Sequence, residues 1–163
     1  MTAAPSAGSP PSSEDRAAVA ALLGREPFTD FRIAVRCPHG GPAVVRNTPV
    51  DLRGRPFPTR DWLACRALSE AVSRLEADGG VRELEGDAEM MAAVDAANAR
   101  HQELHGGYRV AGGGDPRHVK CLHAHLAFGL GEGGSPVADW ILQRSGARWP
   151  DRCCVERVRG AAA

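Results

Sequence analysis

A chain of 163 residues with 43% apolar and 25% charged residues holds enough hydrophobic material for one domain with a real core, while two full domains would be cramped. Twenty basic residues stand against twenty acidic ones, so no global field draws the chain to nucleic acid or to an anionic membrane, and neither is expected as a partner. No apolar run approaches the roughly 18 residues of a membrane span, and five cysteines, odd in number and including the adjacent Cys153 and Cys154, do not form a secreted disulfide framework; the expectation is a cytoplasmic protein with reduced thiols.

In chain order, residues 1–13 are rich in Ala, Pro, Ser and Gly and are expected to be a disordered tail. A single globular domain is expected over 14–150 and a C-terminal tail over 151–163. Ser13-Glu14-Asp15 offers a cap and an acidic first turn for a short helix to about Leu23, ended by Gly24. Phe31 to Val35 and Ala43 to Val45 are β-prone, and the turn-rich Cys37-Pro38-His39-Gly40-Gly41-Pro42 between them predicts a hairpin whose loop carries Cys37 and His39. From Thr59, the expected cap, Leu63, Leu68, Val72 and Leu75 recur at helical spacing until Gly79-Gly80. A second helix is predicted from Asp87 to about Leu104, with Met90, Met91 and Val94 inward. Asp115-Pro116 signals the start of a third helix reaching Leu130, and Ser135-Pro136 opens a final one over about Val137 to Arg144. The fold class expected is α+β, mainly α: a small β-hairpin packed on about four or five helices.

The chemistry concentrates in His118-Val119-Lys120-Cys121-Leu122-His123-Ala124-His125, which sets four potential metal ligands beside the only lysine. Nineteen of the twenty basic residues are arginine, so a surviving lysine suggests a place where a compact ammonium is needed and a planar guanidinium does not serve. If the helix begins at Asp115, Cys121 and His125 share a face one turn apart, as two ligands of one ion on a helix do, and His123 joins them only if the helix starts later. Two residues do not complete a zinc site. Cys37 and His39 on their constrained turn are a candidate second pair, Cys65 is a further candidate from the helix expected around it, and Cys153 or Cys154 is another source of a thiolate. The bland alternative has Cys65 as core filler, His118 and His123 as solvated helix residues, Cys153 and Cys154 in a mobile tail, and His39, His101 and His105 without a chemical role.

The stretches Arg36-Cys37-Pro38-His39-Gly40, Pro56-Phe57-Pro58-Thr59 with Trp62-Leu63-Ala64-Cys65, Ser73-Arg74-Leu75-Glu76 and Val119-Lys120-Cys121-Leu122-His123, in that order, resemble the actinobacterial family called domain of unknown function 501. The resemblance spans about Phe31 to Leu142. It implies a bacterial cytoplasmic protein without an established activity and assigns no catalytic residue. Arg66 and Ser135 depart from the pattern, where a proline and an asparagine are expected.

Three functions from different classes are consistent with these residues. The leading one is a small metal-binding domain in which Cys37, Cys65, Cys121 and one of His123 or His125 hold zinc, with an iron–sulfur cluster as the weaker cofactor candidate and with Lys120 and Arg36 offsetting thiolate charge or binding an anion. The second is a hydrolase or transferase using Cys37 or Cys121 as nucleophile with a histidine base. The third is a non-catalytic module that presents its Ala-rich helix and arginines to a protein partner.

Overall fold

The computed structural model describes residues 8–161. Among these, seven helices surround a three-stranded antiparallel sheet of order β1-β2-β3, an α+β fold that is mainly α. Helix α1 (Ser13–Leu23) starts on a reciprocal cap, in which the Ser12 hydroxyl accepts from the Asp15 N–H and the Asp15 carboxylate accepts from the Ser12 N–H. Strands β1 (Phe31–Arg36) and β2 (Pro42–Asn47) form the predicted hairpin. Its loop closes through Cys37 N–H to the Gly41 carbonyl at 2.8 Å and Gly40 N–H to the Cys37 carbonyl at 2.9 Å. All six residues of β2 are buried, because β1 and β3 (Asp61–Leu63) pair with its two edges and helices cover the faces.

The third strand corrects the sequence expectation. The helical pattern does not begin at Thr59: residues 61–63 pair with β2 in the register Val44↔Leu63 and Arg46↔Asp61, and α2 (Arg66–Ala77) starts after Cys65. The cross-strand neighbours Arg46 and Asp61 then form a buried bidentate ion pair at 2.8 and 3.2 Å, a tertiary partnership that hydrophobic periodicity cannot register. Leu68, Val72 and Leu75 do line the buried face of α2 as expected.

Helix α3 (Gly80–Glu85) leads to α4 (Ala88–His105), capped by Asp87. Helix α5 (Leu122–Gly131) runs through the centre against β3 and α6 (Pro136–Ser145). It is apolar on nearly every side, as a helix enclosed all round must be. Gly129 permits its close approach to α6, since a Cβ there would sit 2.5 Å from the Cβ of Ala138 and 2.6 Å from the Ser135 hydroxyl.

Helix α5 begins six residues later than Asp115-Pro116 predicts. Two carboxylates from other helices explain the delay: Glu85 accepts the Val119 N–H at 2.8 Å and Glu76 accepts the Leu122 N–H at 2.7 Å. The backbone before Leu122 is thereby held extended, with Cys121 at φ −160° and ψ 119°. Asp115 caps only a local turn, taking the Arg117 N–H and guanidinium.

The segment past 150 also differs from expectation. Residues of α7 (Cys154–Ala161) pack on α1, and Cys153, Cys154 and Val155 are buried in the core with Val19, Phe31 and Leu68. At the other end, residues 1–7 lie outside the described residues, while Ser9 exchanges two backbone hydrogen bonds with Ile33 at 2.9 Å.

Candidate functional site

The late start of α5 takes the octet apart. Cys121 is the N-cap, His123 lies in the first turn and His125 faces the opposite, buried side. Three sulfur, nitrogen and oxygen atoms of Glu76, Cys121 and His123 lie within 4.8 Å of one another in a half-buried cluster. The imidazole is fixed at both nitrogens. Nε2 meets the Ser69 carbonyl at 3.0 Å and the Ser73 hydroxyl at 3.1 Å. Since a carbonyl only accepts, Nε2 carries the hydrogen. Nδ1 lies 3.3 Å from the second oxygen of Glu76, whose first oxygen holds the Leu122 N–H.

A hydrogen bond donated to the Cys121 sulfur, then the charge of Glu76, pushes His123 up to about 9 against an opposing desolvation. Near neutrality the Nδ1 proton therefore sits between a sulfur and a carboxylate. Such a pocket, a sulfur, a carboxylate and one imidazole nitrogen around a single point, accepts either a proton or a metal ion.

A second cluster joins Asp61 to His101 and His105, which stand one helical turn apart on α4. Here the electrostatics run the other way. Asp61 is already neutralised by Arg46. Burial, then the charges of His101, Arg60 and Arg46, brings His105 down to about 3. A metal cation would have to displace the buried guanidinium, so this cluster is a poor cation site despite its residue types. His101 keeps a 2.6 Å hydrogen bond to the Tyr108 carbonyl and packs edge-on against His105 and Phe128. His125 belongs on this side. Burial, then the charges of His101 and Arg109, lowers it to about 4, and its Nδ1 has no hydrogen-bond partner.

The residues expected to share one ion are thus divided among three places. Cys121 and His123 meet with Glu76, His125 lies near His101, and Cys37 and Cys65 lie in the core with Cys153 and Cys154. The expected anion-binding pair is separated as well. Arg36 is held by Asp15 at 2.7 and 2.9 Å and by the Gly40 carbonyl at 2.9 Å. Lys120 donates to the Ala111 carbonyl at 3.2 Å, steadying a turn in which Ala111 adopts φ +65°. Sequence reasoning missed Glu76 as a chemical residue, although Ser69, Ser73 and Glu76 recur at helical spacing on one face of α2. It also passed over Asp61 with His101 and His105, whose i, i+4 spacing was the available signal.

Residues 33–110 match the family model described as Protein of unknown function (DUF501). No curated protein and no solved structure matches the chain. Among the described residues no helix is long and apolar enough to cross a membrane.

Proposed function

We propose that this chain is a bacterial cytoplasmic metal-binding protein, of the actinobacterial kind the motifs resemble, that holds zinc between Cys121, His123 and Glu76. The observation that carries the reading is the three-atom convergence of thiol, imidazole Nδ1 and carboxylate, with the far imidazole nitrogen tied to a backbone carbonyl. That outer hydrogen bond orients metal-binding histidines and raises their basicity. Three protein donors leave the fourth tetrahedral position for water, the pattern of a catalytic ion, and a bound ion there lowers the pKa of that water. The proton now on Nδ1 marks where the cation belongs, and five free thiols suit a reducing compartment.

The test is metal content by mass spectrometry on chain purified under reducing conditions. About one zinc per chain is expected, with loss in both Cys121→Ser and His123→Ala and retention in Lys120→Ala. Affinity should rise with pH and level off near 9, because each ion bound displaces the proton of a group with that pKa. Zinc that survives both ligand substitutions overturns the reading.

A second reading, cysteine-dependent hydrolysis or group transfer, is favoured by the same proton position. Cys121 stands at the N-cap of α5, and His123 is its hydrogen-bonded neighbour, placed as a base beside a nucleophile. A limiting alkylating agent that labels Cys121 first, at a rate unaffected by chelators, supports this reading over zinc.

A further inference from the structure

The fold gathers Cys37 from the hairpin loop, Cys65 from the start of α2 and the adjacent Cys153 and Cys154 from the start of α7 into one core. Their sulfurs form two pairs, Cys37 with Cys153 and Cys65 with Cys154, each 3.9 Å apart. Two thiolates on one tetrahedral metal, at bonds of about 2.3 Å, are held about 3.8 Å apart by geometry. No three of the four sulfurs lie within 4.8 Å of one another, so a single tetrahedral ion does not reach all of them where they stand. Nor, among the described residues, does either pair have a histidine or carboxylate within that distance to complete a four-ligand set. Each pair supplies half of a tetrahedron, the share that each iron of a sulfide-bridged pair takes from protein thiolates.

We propose that Cys37, Cys65, Cys153 and Cys154 ligate a sulfide-bridged [2Fe–2S] cluster, with one iron on each pair. Inorganic sulfide supplies the two bridging positions that the protein lacks. Assembly from two ferric ions and two sulfides transfers the four thiol protons to solvent as sulfur–iron bonds form, with no change of oxidation state, and the cluster with its thiolates carries two negative charges.

Three features of the chain support this occupant. Backbone N–H groups point at the sulfurs: Ala67 donates to Cys154 at 3.4 Å, Leu68 and Ala67 bond Cys65, and Val155 bonds Cys153. Such donors at helix N-termini stabilise thiolates and tune clusters. Gly41 supplies the space, because a Cβ there would come within 2.3 Å of the Cys153 sulfur and 3.4 Å of that of Cys37. Surface clefts reach Cys153 beside Arg36 and Cys154 beside Arg66, which gives iron and sulfide a way in.

The experiment is iron, zinc and acid-labile sulfide analysis of the full chain, purified without oxygen and, separately, after incubation with ferric iron and sulfide. About two irons and two sulfides per chain are expected, with a visible charge-transfer band that dithionite bleaches. Cys121→Ser should keep the band and lose the zinc proposed above, so failure of either site is seen independently of the other. Cys154→Ser should lose the band. Iron and sulfide near zero in the reconstituted wild-type chain overturns the proposal, whether the four sulfurs are then found as thiols, as two disulfides by peptide mapping, or on zinc. The wild-type result decides even if Cys154→Ser does not fold.

Discussion

Identical side chains acquire opposite properties here from their immediate neighbours. His123 sits between a thiol and a carboxylate and is pushed up to about 9, whereas His105 and His125 are buried among cations and fall to about 3 and about 4. The consequences for stability have opposite signs. A histidine whose native pKa is raised above its unfolded value of about 6.5 stabilises the fold fully below that value, and the contribution is lost as pH rises through about 9. A histidine whose native pKa is depressed leaves the native state short of protons that the unfolded chain binds, so stability present above about 6.5 falls as pH drops toward 3–4. Acid titration of unfolding should therefore show a loss that starts near pH 6.5, with a slope of up to about 1.4 kcal/mol per pH unit for each such histidine. His125→Gln should shallow the slope by about one proton. An unchanged slope in that variant, measured by urea unfolding across pH, contradicts the assigned environment.

Helix α5 illustrates how an element's boundary is decided outside the element. Asp115-Pro116 is a sound start signal in sequence, and Ser135-Pro136 of the same type does start α6, with the Ser135 hydroxyl accepting from the Ala138 N–H. What separates the two cases is competition for backbone donors. Glu85 and Glu76 take the N–H groups of Val119 and Leu122, and both lie far away in sequence. Replacing Glu85 with Ala should release the Val119 N–H and cost about 1–3 kcal/mol in denaturant unfolding. It should also weaken zinc binding at Cys121 although no ligand is removed. Equal zinc affinity in Glu85→Ala and wild type shows instead that the extended segment holds itself.

At the scale of the molecule, α1, the hairpin and α7 share one core, while α2, α4, α5 and α6 build another around Leu122, Leu126 and Ile141. The closing helix is therefore structural. Ending the chain at Arg152 removes the buried Cys153, Cys154 and Val155, each contributing roughly 1–2 kcal/mol of burial. We expect hydrogen exchange in α1 to accelerate strongly in that truncation, with α4 changed far less; uniform exchange across both helices contradicts the division.

Much of this molecule is written locally. The zero net charge, the mainly helical α+β class, the hairpin with its Cys37 loop, and the extents of α1, α4 and α6 all follow from caps, glycine stops and periodicity, because those signals act over a turn or two of chain. The third strand, the start of α5 and the burial of Cys153 and Cys154 depend on partners tens of residues distant. Spacing along the octet suggested that Cys121 and His125 act together, but the displaced helix start rotates His123 toward Cys121 and sends His125 to the far side. Sequence alone determined which ligand-type residues the chain has and where they concentrate; the packing of α2 and α3 on the segment before α5, and of α7 on the hairpin, decided which of them meet and brought in Glu76, since a ligand set is a matter of distance in space and no local signal records it.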